Sequence, residues 1–194
     1  MIQHSQNTEE WYTPAWLVEI AQKTLLGIDL DPATTGEVNQ MVVKATNYYT
    51  VAEDGLYQPW HGNVFCNPPG GRNHCALPEF QKFRSKTAAW WHKATLEYSK
   101  PTTHAVFFIG FNPNVLFTTL DCPYPMANST FCLLRKRVRF IDQKTWMPAP
   151  DPAHHTVVAL LETDGAMTRR FIELMKPHGK ICSALNLTQA AYEL

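Results

Sequence analysis

The spacing of apolar and polar residues divides the chain into helical and extended stretches. Trp16, Leu17, Ile20, Ala21, Thr24 and Leu25 recur at helical spacing, with Thr13 a fitting N-cap, Pro14 at the first helical position and Gly27 as a stop. Ile28-Asp29-Leu30 reads as a short strand entering the small-residue turn Asp31-Pro32-Ala33-Thr34-Thr35-Gly36. Met41-Val42-Val43 is expected as another strand, followed by Asn47-Tyr48-Tyr49. The apolar run Val64-Phe65-Cys66 ends at Asn67-Pro68-Pro69-Gly70-Gly71. Residues 72–86 mix bases with helix breakers, so 70–87 is expected to be a mobile, substrate-facing loop. Residues 88–98 read as a helix, 105–109 as a buried strand, and 115–120 as a short helix. Residues 131–134 and 138–141 are expected to pair around Arg135-Lys136-Arg137. Residues 148–152 form a loop, 156–161 a last apolar strand and 166–175 a last helix. Strands alternate with helices early and crowd together late. That order predicts a three-layer α/β sheet whose final strands form an antiparallel hairpin.

The Asn67 turn carries the clearest chemistry. Proline donates no ladder hydrogen bond, so the strand must stop there, and a residue before proline is pushed toward extended geometry. Two prolines therefore fix the Asn67 backbone and the direction of its side chain. A rigid turn at a strand's carboxyl end is where open α/β sheets place ligands. The Asn67 amide oxygen and the Pro68 carbonyl then offer two fixed acceptors, which suit a planar –NH2 group. Drawing both hydrogens to one side frees the nitrogen lone pair for attack, as amine methylation requires. Read alone, the same residues are also a stiff loop.

Composition narrows the class. A chain of 194 residues, 45% apolar and 18% charged, is expected to be one globular domain with a frayed 1–10. No apolar run is long enough to span a membrane and no leader-like start is seen, so a cytoplasmic protein is expected. Five scattered cysteines without a C-x-x-C pair read as reduced thiols; His74-Cys75 near Cys66 fits no zinc spacing, and no metal is expected. The formal net charge is zero, which argues against a generic nucleic-acid binder. Its distribution is uneven: residues 1–54 hold eight acids and two bases, residues 55–149 eleven bases and four acids. Such a chain can set a cationic ligand beside a polyanion site, although ordinary solvated faces give the same counts.

Trp11-Tyr12-Thr13-Pro14, Asp29-Leu30-Asp31-Pro32-Ala33-Thr34, Asn39, Asn47-Tyr48-Tyr49-Thr50, Glu53-Asp54-Gly55-Leu56, Trp60-His61-Gly62 and Val64-Phe65-Cys66-Asn67-Pro68-Pro69 form an ordered series. Together they resemble the phage-type DNA adenine N6-methyltransferase family, closely over residues 11–71 and more loosely to about residue 161. The resemblance implies a Rossmann-like class I methyltransferase fold, S-adenosylmethionine as donor, and adenine flipped from DNA as acceptor. By position, Tyr12, Thr13 and Pro14 resemble the donor-entry segment. Asp31 resembles the acid near the donor's methionine part, with Pro32 and Ala33 shaping its turn. Asp54 resembles the reader of the donor's adenine amine, and Leu56 the residue packed on that ring. Asn67, Pro68 and Pro69 resemble the catalytic tetrapeptide.

The chain departs from this pattern in two places. Gly70 stands where an aromatic ring should stack on the flipped base, leaving Trp90, Trp91, Phe111 and His74 as replacements. No acid follows Met41-Val42-Val43 to hold the donor ribose, and the glycine-rich turn is reduced to Thr34-Thr35-Gly36. Arg135, Lys136, Arg137 and Arg139 are candidate phosphate contacts. Other acceptors (cytosine N4, RNA adenine, a protein glutamine) and a non-catalytic DNA- or partner-binding descendant of the fold stay open.

Overall fold

A computed structural model describes residues 11–117, 129–150, 154–162 and 165–183. The expectations for residues 1–10, for 118–120 of the short helix, for Cys122 and for 151–152 of the loop lie outside them. The centre is one seven-stranded sheet. Its strands are β2 (Leu30–Asp31), β3 (Asn47–Tyr48), β4 (Gly62–Cys66), β5 (Thr103–Gly110), β6 (Ser129–Leu134), β8 (Val157–Leu161) and β9 (Gly179–Ser183). They lie in the order β3-β2-β4-β5-β8-β6-β9. The first four neighbours run parallel; β8 is antiparallel to both β5 and β6, and β9 is antiparallel to β6. β1 (Trp11–Tyr12) and β7 (Ile141–Asp142) form a separate two-stranded ribbon.

Alternation along the strands makes two cores. Phe65, Phe107, Ile109, Val158 and Leu160 face helices α1 (Ala15–Leu25) and α5 (Ala166–Met175). Val64, Cys66, Val106, Phe108, Ala159 and Leu161 belong to the opposite core with Trp90, Trp91 and Ala94 of α4 (Lys86–Tyr98). Side chains on a strand alternate between faces, so a run that is apolar at every position must be covered on both. That is the three-layer arrangement read from the sequence.

Three local expectations are corrected. Residues 41–43 are helical: a short turn, α2 (Gly36–Val38), continues as a π-helical turn, Asn39–Val43. The buried Asn39 amide closes it by donating to the Ala45 carbonyl and accepting from the Ala45 N–H. Residues 138–141 do not pair with 131–134; β6 pairs with β8 and β9, while β7 turns away to β1. The final strands therefore form no simple hairpin, since β8 and β9 flank β6 on opposite sides. Pro14 rather than Thr13 is the cap of α1. The basic segment after Gly71 is folded around a one-turn helix, α3 (Pro78–Gln81), and buries Phe80 and Phe83 against His92 of α4. No helix among the described residues is long and apolar enough to cross a membrane.

The order of strands fixes where a ligand can enter. From β2 the chain moves one way to β3, whereas β4 and β5 lie on the other side. Neighbouring connections diverge there and leave a crevice beyond the carboxyl ends of β2 and β4. Asp31 ends β2, and Asn67 follows β4.

Candidate functional site

A cavity of about 410 Å³ occupies this crevice, within the usual range for a cofactor-sized ligand. Its lining includes Tyr12, Thr13, Asp31, Pro32, Ala33, Asp54, Leu56, Asn67, Pro68 and Pro69. Of the residues to which the resemblance gives a donor-binding or catalytic role only Pro14 stands apart, where its carbonyl accepts from Leu17 N–H and Val18 N–H and starts α1.

Asn67 is held by a neighbour that side-chain reasoning missed. Its Nδ2 donates to the Trp11 carbonyl at 3.0 Å. A carbonyl can only accept, so the amide nitrogen must face Trp11 and Oδ1 must point the other way. That Oδ1 is buried with no hydrogen-bond partner. An orphaned buried acceptor costs about 1–3 kcal/mol, so native proteins rarely keep one without use. Among the described residues, Asn67 Oδ1 is the orphan whose residue lines the cavity. Pro68 and Pro69 extend the rigid turn, and a Cβ built on Gly70 would meet nothing within 4 Å.

Asp31 is 2% exposed, and its Oδ1 accepts from Ala33 N–H at 3.0 Å. Burial pushes its carboxyl up from 3.8 to about 7, against the Ala33 N–H and the Thr34 side chain, which pull it down. No Lys or Arg pairs with it among the described residues. A buried carboxylate with hydrogen bonds but no cation is set up to receive one. Cys66 lies close enough to feel it: burial first, then the Asp31 charge, raises that thiol well above its ordinary value.

Asp54 takes φ +52, and its Oδ1 accepts from Leu56 N–H at 3.1 Å. It is thus both the turn residue that an Asp-Gly pair suggests and a carboxylate on the cavity. Two contacts lock this turn to the sheet. The indole Nε1 of buried Trp60 donates to the Gly55 carbonyl at 2.9 Å. A Cβ built on Gly55 would lie 2.1 Å from the Pro32 carbonyl, so the backbones of the Asp54 and Asp31 turns touch. The motif residues Gly55 and Trp60 thus shape the turn from behind, one by lacking a side chain and the other through its indole.

Of the four rings offered as replacements for the missing aromatic, Trp90, Phe111 and His74 line the cavity. Trp91 does not; it is buried against Phe108. Thr34, Thr35 and Thr50 of the motif turns also line the cavity, as do Tyr57, Asn73 and Lys86, which belong to no motif of the series. Asn73 and Lys86 come from the folded 70–87 segment, whose Cys75 Sγ meets the Tyr57 hydroxyl at 3.7 Å. Only the fold could bring them together. No group of metal-ligating side chains is present among the described residues. No family model, no curated protein and no solved structure matches this chain.

Proposed function

We propose that this protein transfers a methyl group from S-adenosylmethionine to the exocyclic amine of adenine in DNA, on a Rossmann-like sheet. The observation that carries the reading is the Asn67 amide: its nitrogen is engaged by Trp11, and its buried oxygen is aimed at no protein donor. A substrate –NH2 is the simplest group to satisfy it.

The residues present fit the donor. The unpaired, buried Asp31 suits its ammonium group, while Asp54 and Leu56 offer a carboxylate and an apolar surface for its adenine. Tyr12, Thr13, Pro32 and Ala33 complete that part of the lining, and Thr34, Thr35 and Thr50 supply hydroxyls where no ribose-binding acid is found. When bound, S-adenosylmethionine supplies a methyl group made electrophilic by its positive sulfur. The chain's own task is alignment and polarisation. Asn67 Oδ1 accepts one amine hydrogen and the Pro68 carbonyl the other, turning the nitrogen lone pair out of the ring's conjugation. The prolines hold both acceptors in place before the substrate arrives.

The test is nucleoside mass spectrometry of DNA treated with the protein and isotopically labelled donor. Labelled N6-methyladenine is expected. Labelled N4-methylcytosine, or label only in RNA or protein, would move the acceptor assignment while keeping the amine chemistry. Asn67→Ala should keep its melting temperature and donor affinity while single-turnover methylation falls about 10²–10³-fold, the usual loss for one preorganised hydrogen-bond partner. A folded Asn67→Ala protein that methylates at the wild-type rate would sink the mechanism.

A further inference from the structure

We propose that residues 135–149 form a duplex-opening arm, with Trp146 and Met147 as a wedge that enters the base stack while the target base sits in the cavity. The proposal rests on the function argued above. Three observations favour it.

The arm is a built element. Asp142 N–H donates to the Met147 carbonyl and Trp146 N–H to the Asp142 carbonyl, both at 2.9 Å, and Ala149 N–H donates to the Phe140 carbonyl at 2.8 Å. The Asp142 carboxylate is spent inside the turn, where Oδ1 accepts from Lys144 N–H, Thr145 N–H and the Thr145 hydroxyl. Trp146 sits at φ +55, a conformation that an L residue takes only when its surroundings enforce it. The tip presents two large apolar side chains to water, Trp146 at 38% and Met147 at 63% exposure.

The surroundings suit a polyanion. Arg135, Lys136, Arg137, Arg139 and Lys144 are all exposed, and Asp142 is the one acid between 135 and 149. Apolar wedges flanked by bases are how proteins unstack a base step and hold the opened duplex.

The position is that of the site. The Trp146 ring lies 5.3 Å from that of Tyr12, which lines the cavity, and the arm's inner residue Phe140 lies 5.2 Å from Phe111, which lines it too. Strand β7 pairs with β1, whose Trp11 carbonyl holds Asn67. The wedge therefore stands on the same ribbon that aims the catalytic acceptor.

The experiment compares wild type, Trp146→Ala and Met147→Ala in single-turnover methylation of one adenine in three settings: a matched duplex, the same strand alone, and a duplex lacking the base opposite the adenine. A wedge is needed only where the base must be pulled from an intact stack. Both variants are expected to lose about 10–100-fold on the matched duplex and to stay within about twofold of wild type on the other two. Equal losses on all three substrates, or none on the matched duplex, would overturn the wedge while leaving the methylation reading intact. A wild-type protein that methylates none of the three would remove both. Thermal melting of each variant separates a misfolded arm from a missing wedge, and Met147→Ala leaves the Tyr12 contact of Trp146 in place.

Discussion

At the scale of single residues, Asp31 sets function against stability. The folded chain holds its proton up to about pH 7, whereas an unfolded aspartate releases it near 3.8. The folded state therefore binds more protons between those values, and stability falls as pH rises through that window. Roughly three pH units at 1.36 kcal/mol each amount to a penalty of about 4 kcal/mol above pH 7. Asp31→Asn keeps an acceptor for Ala33 N–H but never ionises. It is expected to melt higher than wild type at pH 8, by several degrees, with the advantage vanishing near pH 4; calorimetry at both pH values checks this. The same variant should lose donor binding. In the wild type, donor affinity should weaken by up to about tenfold per pH unit below 7, as Asp31 takes up its proton. Titrations showing a flat pH profile would detach Asp31 from the donor. Gly70 makes the opposite case, because its surroundings are open and its backbone is ordinary. Gly70→Phe should leave the melting temperature unchanged and, if a base rests beside Asn67, tighten DNA binding by about 1–3 kcal/mol of added stacking. Unaltered affinity would mean that Trp90, Phe111 or His74 already fills that place.

At the scale of elements, the site is assembled by turns clamped against one another. Trp60 reaches Gly55 through its indole, and its own N–H donates to Glu97 Oε2 of α4 at 3.1 Å. Glu97 is buried, which alone would raise its carboxyl, but hydrogen bonds from Lys100, Lys93 and Trp60 together hold it below its ordinary value. Helix α4 thus fixes the Asp54 turn, and Gly55 fixes that turn against Pro32. Gly55→Ala drives a Cβ into the Pro32 carbonyl, so one turn must move. The expected result is a loss of about 1–3 kcal/mol in denaturant unfolding together with at least tenfold weaker donor binding. Wild-type affinity in that variant would show that the two turns do not jointly shape the site. The helices that pack were legible in the sequence: 166–175 was read to the residue because apolar positions recur on one face. Residues 41–43 were not, since a three-residue apolar run carries no period and the Asn39 amide that closes the turn is a tertiary contact.

For the molecule as a whole, the acid-rich first third and the base-rich middle meet at one place. Asp31 and Asp54 come from the first and Lys86 from the second, and all three line the cavity. All the residues to which the resemblance gives a role, Pro14 excepted, line the cavity, because a strand's end and a proline-fixed turn are local properties. The arm's true partner was hidden, because the choice between β6 and β1 for residues 138–142 depends on a strand far away in sequence. That pairing has a consequence in time. Asn67 is aimed by Trp11, and the strand that carries Trp11 is held by residues 141–142. A ribosome makes about 5–20 residues per second, so residues 141–142 follow Asn67 by several seconds. The strand bearing Asn67 can pair with β2 and β5 long before its amide has been turned to its working orientation. The hydrogen bond that orients Asn67 is thus secured late in synthesis, when the far end of the ribbon closes on one of the first segments made.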